Sequence, residues 1–147
     1  MARTLFAYAI ILIIGEITNS YAAENREDYE LQERCGKRAS EIFKQDNGNK
    51  IANTADGQAM TGYTNHYHKK LNKCFVLQTT TSFHYKDKEK KKTTSTLINL
   101  YDVNENKDYG TFFKDDVDQQ PFQCYVLEAV CHSEAEWDAL IKPYMQE

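Results

Sequence analysis

The chain has 147 residues, of which 41% are hydrophobic, and a formal net charge of -4 at pH 7. This length is close to the commonest domain size and is enough for one domain with a modest core. The mild acidity argues against nucleic acid as a partner, because the neutralisation of phosphates requires a basic face.

The first residues contain the three parts of a secretory signal peptide. Arg3 precedes an apolar run from Leu5 to Gly15, and Ser20-Tyr21-Ala22 has the small-x-small pattern of a cleavage site. The apolar run is shorter than the roughly 20 residues that span a bilayer, so we expect no stable membrane insertion after cleavage. The sequence predicts a signal peptide over residues 1–22 and a single disulfide-bonded α+β domain over 23–147, located in the periplasm or secreted.

Four cysteines follow the predicted signal peptide, and an even number in an exported chain indicates two disulfides. In one continuous strand Cys124 and Cys131 would lie about 23 Å apart, whereas a hairpin folded about Leu127-Glu128 would place them opposite each other. That turn lacks Gly or Asn, which counts against the hairpin. The pairing stays open, and we favour Cys124 with Cys131, which leaves Cys35 with Cys74.

The domain begins with a predicted helix from about Asn25 to Gln45. Apolar residues recur there at helical spacing, and Asp46-Asn47-Gly48 forms a stop signal. The following stretch, from Asp46 to Gly62, is polar and has no stable period, so it is predicted to be a long loop. Unstructured loops of this length often carry function, which makes this one a candidate binding surface.

The middle of the chain is rich in β-branched and aromatic residues and predicts antiparallel strands. The segment from Tyr63 to Leu71 fits both the strand and the helix period and stays undecided. The lysine-rich segment from Lys86 to Lys92 is predicted to be a charged hairpin connection. Strands are predicted over Cys74–Phe83, Thr93–Val103 and Tyr109–Phe113, and a further one begins near Phe122.

The last segment contains the S-x-x-E capping box in Ser133 and Glu136, followed by apolar residues at helical spacing. It predicts a helix that Pro143 should kink or end near Lys142. The order of elements predicts a two-layer α+β domain. It consists of an antiparallel sheet of three to four strands, with an N-terminal and a C-terminal helix on one face, and it is disulfide-bonded.

Ten tyrosines are more than a small core needs, and several fall near predicted loops or strand ends. Tyrosine suits recognition surfaces because it combines a large area with two rotatable bonds and a polar tip. The sequence therefore favours a non-enzymatic binding domain that uses no cofactor and recognises an unknown protein or small ligand. The candidate binding residues are Tyr63, Tyr67 and His66, beside the polar stretch.

The first alternative is a small metal-binding protein. His66 and His68 point to the same side of an extended segment, and His84 or His132 would complete a zinc or copper site. Asp102-x-Asn104-x-Asn106 opens like a calcium loop, but Lys107 and Phe113 stand where such a loop needs Gly and Glu. A hairpin turn accounts for the same residues.

The second alternative is a hydrolase that uses a pair among the acidic residues Asp115, Asp116 and Asp118. A solvated turn explains the same cluster. The chain lacks a G-x-S-x-G elbow, and a cysteine in a disulfide cannot act as a nucleophile. No catalytic residue is therefore predicted from the sequence, and an enzymatic role has no support at this level.

Three groups of residues give the chain a resemblance to small exported bacterial proteins of uncharacterised function. The groups are Glu33-Arg34-Cys35-Gly36, then Asn65-His66-Tyr67 with Leu71-Asn72-Lys73-Cys74-Phe75, and the segment from Cys131 to Met145. The resemblance covers most of the chain after the predicted signal peptide. It implies a Gram-negative source and a periplasmic or secreted domain, and it transfers no activity or catalytic residue.

Overall fold

The structure is a computed structural model that describes residues 26–46, 48, 50–86 and 91–146. The predicted signal peptide over residues 1–22 lies outside these ranges. No helix in the described ranges is both long and apolar enough to cross a bilayer. The chain divides into two compact units, Met1–Arg34 and Cys35–Glu147. Of the first unit the structure describes residues 26–34, where Arg26 and Glu30 form an ion pair of 3.1 Å one helical turn apart.

The first helix, α1, covers residues 26–46, as the periodicity predicts. It ends as expected at the Asp46-Asn47-Gly48 segment. Gly48 adopts a φ of 52°, and its N–H donates to the carbonyl oxygen of Lys44 at 3.1 Å. Glycine adopts this left-handed conformation at the lowest cost, and Gly48 terminates α1.

Seven strands form one antiparallel sheet in which each strand pairs with its neighbours in the sequence. The prediction of an antiparallel sheet is therefore confirmed, and the predicted number of three to four strands is wrong. The strands are β1 (Ile51–Thr54), β2 (Gly57–His68), β3 (Lys73–Lys86), β4 (Lys91–Asp102), β5 (Lys107–Asp115), β6 (Gln123–Val126) and β7 (Ala129–Val130).

The polar stretch predicted to be a loop is largely the β1–β2 hairpin. Ile51 pairs with Met60, and β2 continues through the undecided segment as far as His68. Every residue of β1 is exposed, so no alternation of apolar and polar residues indicates this strand in the sequence. β1 is held by its pairing with β2 rather than by local propensity. β2 in turn pairs with β3 along its whole length.

Residues 35–46 of α1 and the C-terminal helix cover opposite faces of the sheet, which corrects the predicted two-layer arrangement to three layers. In β3, Val76 belongs to the core cluster that contains Ala39 of α1, whereas its neighbour Phe75 belongs to the cluster that contains Trp137. Adjacent residues of a strand point to opposite faces. We call these the α1 face and the α2 face.

The larger core lies on the α2 face, under the helix α2 (Glu134–Met145). Trp137 is fully buried, and its ring lies 5.9 Å from that of Phe112. Phe75 contacts Tyr144 edge to face at a centroid distance of 5.3 Å, which fixes the C-terminal end of α2 on β3. The helix extends through Pro143 to Met145 and does not end near Lys142.

The smaller core lies on the α1 face and contains the disulfide between Cys35 and Cys74, whose Cα atoms lie 5.4 Å apart. The second disulfide joins Cys124 and Cys131 across the β6–β7 hairpin. Both favoured pairings are confirmed. Leu127 adopts a φ of 53° in this turn, so the hairpin forms without the expected Gly or Asn.

The capping box at the start of α2 is also confirmed. The Ser133 Oγ accepts a hydrogen bond of 3.2 Å from the Glu136 N–H. The Glu136 carboxylate in turn accepts one of 2.8 Å from the His132 N–H. Two donors at the helix start are satisfied in this way.

Candidate functional site

Tyr63 and Tyr67, two of the predicted binding residues, lie on the α1 face and pack against its core cluster. The Tyr63 ring lies 4.6 Å from that of Phe43 in α1. The Tyr67 hydroxyl donates to Asn72 Oδ1 at 2.8 Å, which ties β2 to the turn that follows it. Much of the area of both rings is therefore used within the domain.

His66 and His68 lie on the α2 face, where their register partners are Phe75 and Lys73. Their ring centroids are 6.2 Å apart. The predicted binding residues Tyr63, Tyr67 and His66 consequently do not share one surface, whereas the two histidines of the metal hypothesis do.

His68 is buried, and its Nδ1 accepts a hydrogen bond of 3.3 Å from the Leu71 N–H. His84, considered as a third ligand, is on the α1 face by the β3 alternation. Within the described ranges, no group of three or more His, Cys, Asp or Glu side chains is arranged to hold a metal ion. The metal site at His66 and His68 stays a prediction without a third ligand among these residues.

Asp102, which opens the calcium-like segment, is fully buried on the α2 face. One carboxylate oxygen accepts from Lys73 Nζ at 3.1 Å and the other from the Asn104 N–H at 3.0 Å. Lys73 also pairs with Glu105 at 2.5 Å. The hydrogen bonds to Glu105 and then to Asp102 raise the pKa of Lys73 above its ordinary value. These residues form an ion-pair network that closes the β4–β5 turn.

The acidic cluster of the hydrolase hypothesis lies at the end of β5 and in the turn that follows. The Asp116 N–H donates to the Thr94 carbonyl at 2.9 Å, which holds the turn against β4. Asp115 and Asp116 line an open pocket of about 190 Å³ together with Lys114 and Glu134. The arrangement is that of the solvated turn which the sequence offered as the simpler explanation.

An exposed apolar patch lies on the α1 face of β5, β6 and β7, and we name it the aromatic patch. Phe122 is 58% exposed and its ring lies 5.5 Å from that of Phe113. Tyr125 and Val130 are register partners, and they are 39% and 69% exposed. The members of the patch are Phe113, Phe122, Tyr125 and Val130.

The second notable feature is a hydrogen-bonded set of three side chains from the β1–β2 turn, β3 and β4. The Asp56 Oδ2 lies 2.9 Å from the His84 Nδ1, and the His84 Nε2 lies 3.2 Å from the Ser95 Oγ. Asp56 and His84 are 61% and 35% exposed in their side chains, and Ser95 is 8% exposed. A carboxylate, an imidazole and a hydroxyl are thus connected in series, from the exposed Asp56 to the buried Ser95.

The close approach of the β1–β2 turn to β3 positions Asp56. The Tyr85 N–H donates to the Asp56 carbonyl at 2.8 Å, and the Thr54 hydroxyl donates to Asp56 Oδ1 at 3.2 Å. Gly57 packs directly against the Phe83 carbonyl oxygen, and a Cβ atom there would overlap that oxygen. Glycine is therefore required at this position for the turn to bring Asp56 to His84.

The hydrogen bond from His84 lowers the pKa of Asp56 below its ordinary value, against a smaller opposing effect of desolvation. A carboxyl group with a lowered folded-state pKa stabilises the fold above the ordinary value of 3.8 and loses that contribution as the pH falls through the folded-state pKa. We therefore expect the difference in melting temperature between the wild type and Asp56→Asn to shrink between about pH 5 and about pH 2. Thermal unfolding monitored by circular dichroism tests this.

His84→Gln removes the same interaction from the other side and is the control for that experiment. Its difference from the wild type should show the same acid dependence, and Asp56→Asn should add little in the His84→Gln background. A stability difference that is constant with pH would contradict the role of this pair.

The sequence did not reveal this set because its members are far apart in the chain and each is locally unremarkable. Asp56 lies in the stretch that the sequence predicts to be a loop, and Ser95 is one of several hydroxyl residues in β4. The strand register alone brings them together. The aromatic patch was missed for a related reason, since Phe122 precedes a strand of only four residues.

Comparisons with known proteins assign no family to this arrangement. No protein-family model matches the chain, and neither a curated protein nor a solved structure matches it.

Proposed function

We propose that this chain is an exported binding protein that recognises a cationic, partly apolar segment of another protein through the aromatic patch. The observation that carries the proposal is the exposure of Phe122, which packs on Phe113, together with that of the register partners Tyr125 and Val130. Clusters of exposed apolar side chains that include aromatic residues are typical of interaction sites. Two disulfides are compatible with an oxidising compartment, which supports the exported location.

This placement differs from the face suggested by Tyr63 and Tyr67. Those rings pack within the cluster beneath α1, so much of their area is already used for folding. Phe122 and Tyr125 keep more of their area available, and Tyr125 brings a hydroxyl as well. Aromatic side chains of this kind dominate the binding energy of many interfaces.

The negative charge near the aromatic patch favours a positively charged partner. Residues 115–133, which include all members of the patch except Phe113, contain four Asp or Glu and no Lys or Arg. The acidic residues that follow belong to α2, on the opposite face, and lie outside this segment. The turn at Asp115, Asp116 and Asp118 leads directly to Phe122, and Glu128 lies in the β6–β7 turn. A negative field of this size attracts a Lys- or Arg-rich segment, increases its association rate and disfavours acidic partners.

The test uses a fluorescein-labelled ten-residue peptide in which Lys alternates with Leu, together with a Glu/Leu peptide of the same pattern. Fluorescence anisotropy should show binding of the Lys/Leu peptide that weakens as salt is raised, and no binding of the Glu/Leu peptide. Phe122→Ser and Tyr125→Ser should each weaken binding by at least about tenfold, because each removes an aromatic anchor.

Tyr85→Ser is the matched control, because Tyr85 is 52% exposed and lies on the α2 face, away from the patch. It should leave the affinity unchanged. Equal affinity of Phe122→Ser and the wild type would overturn the placement, and absence of binding would overturn the cationic partner. Sedimentation velocity provides a further outcome: self-association that Phe122→Ser abolishes would identify a second copy as the occupant and overturn the proposal.

A further inference from the structure

We propose that Asp56, His84 and Ser95 form an acyl-transfer site that hydrolyses small carboxylic esters. The site lies on the α1 face and is built from residues outside the aromatic patch, so it does not depend on the proposed binding function. It would give the protein an activity that its sequence does not indicate.

The order of the hydrogen bonds carries the inference. The His84 ring is engaged at both nitrogens, with a carboxylate at Nδ1 at 2.9 Å and a hydroxyl at Nε2 at 3.2 Å. In this order a neutral imidazole with its proton on Nδ1 donates to Asp56 and accepts the proton of Ser95. The same roles define nucleophile, base and orienting acid in serine hydrolases, on folds that are otherwise unrelated.

The reaction balances with water as the second reactant. The Ser95 Oγ attacks the ester carbonyl carbon, its proton passes to His84 Nε2, and the ester C–O bond breaks as the leaving alkoxide takes that proton. Water then attacks the acyl-serine, His84 accepts a proton from it, and the proton returns to Ser95 Oγ as the acid leaves. Asp56 stabilises the imidazolium in both steps and is a positioning residue.

The residues next to Ser95 determine how an ester could be held there. Ser95 is paired with Ser82 on β3 and with Asp115 on β5, so the backbone N–H groups of β4 are used in the ladders. Ser82 is the register partner of Ser95 on the same face, at a usual Cβ separation of about 5 Å, and we assign its hydroxyl as the donor to the oxyanion.

The low exposure of Ser95, at 8%, restricts access to small acyl groups. Leu97 is two residues further along β4 on the same face and supplies apolar surface for the acyl chain. With one hydroxyl donor for the oxyanion in place of two backbone N–H groups, we expect slow turnover.

The first experiment is direct and needs no variant. The folded protein is incubated with a small fluorophosphonate, digested, and the modified peptide is identified by mass spectrometry. An adduct on Ser95 that is absent after unfolding in urea supports the site. Absence of an adduct on Ser95, or labelling that survives unfolding, overturns it.

The second experiment follows hydrolysis of p-nitrophenyl acetate. Ser95→Ala should reduce the rate to that of protein-free buffer, and His84→Gln should reduce kcat at least about 100-fold. Asp56→Asn should lower kcat with KM unchanged, which a purely structural role would not produce.

Thr96→Ala is the control, because Thr96 adjoins Ser95 in the chain and faces the other side of the sheet; it should keep the wild-type rate. Urea unfolding of each variant separates loss of activity from loss of fold. Activity that persists in folded Ser95→Ala overturns the proposal.

Discussion

Asp102→Ala is expected to lower the free energy of unfolding by about 3 to 5 kcal/mol, the range seen when one partner of a buried ion pair is removed. Asp102 is fully buried and accepts hydrogen bonds from both Lys73 and the Asn104 N–H. Its removal leaves the Lys73 ammonium, with only 18% of its side chain exposed, without its buried partner. It also leaves the Asn104 donor unsatisfied. Urea unfolding at pH 7, followed by Trp137 fluorescence, measures the loss.

Glu105→Ala is the matched control, since Glu105 pairs with the same ammonium but is 58% exposed. Exposed pairs contribute about 0 to 1 kcal/mol, so this variant should unfold close to the wild type. The contrast isolates burial as the cause, because both variants remove one carboxylate from Lys73. Similar losses for the two variants would show that Asp102 has no special role in the β4–β5 turn.

The parts of the fold that the sequence predicts are those specified by local signals. The second helix has a capping box at Ser133 and Glu136 and an apolar stripe that includes Trp137. The structure shows both features as predicted. The strand that contains Cys74 is rich in β-branched and aromatic residues, and the structure places β3 there. Local propensity and tertiary packing agree in these segments, so the sequence alone suffices.

The parts that the sequence does not predict depend on contacts between distant residues. Nothing in Ile51–Thr54 marks a strand, since all its side chains are exposed and it is held by pairing with β2. The same holds for the contact of Asp56 with His84, which are 28 residues apart. Tertiary context determines both the pairing of β1 and the contact of Asp56 with His84, and no periodicity in the sequence indicates either of them.

The relative lengths of strands and helices explain why the set of Asp56, His84 and Ser95 lies beyond the core on the α1 face. The 14 residues of β3 extend over about 46 Å, whereas residues 35–46 of α1 cover about 18 Å. This helical segment cannot shield the whole length of that face. The distal ends of β3 and β4 therefore lie beyond the core cluster, with the His84 side chain 35% exposed and Ser95 8% exposed.

The Cys35–Cys74 disulfide is the second feature whose loss should have a large effect. It closes a loop of 39 residues in sequence separation, which corresponds to about 4 kcal/mol in the chain-entropy description. It also holds residues 35–46 of α1 on the sheet, because the buried cluster around it is small and, among the described residues, contains only Ala39, Val76 and Val103 besides the two cysteines. Cys35→Ala with Cys74→Ala should therefore destabilise the domain and increase amide hydrogen exchange in α1.

The second disulfide provides the comparison. All four cysteines are buried, but the bridge between Cys124 and Cys131 closes a shorter loop, with a sequence separation of seven residues. The same description gives about 2.5 kcal/mol for Cys124→Ala with Cys131→Ala. Amide exchange in residues 35–46 should then stay close to the wild type when both proteins are compared under strongly native conditions. If the two double variants lost equal stability and exchanged alike in α1, loop closure would not determine how this domain is held together, and the packing of α1 through Phe43 and Tyr63 would be the stronger constraint.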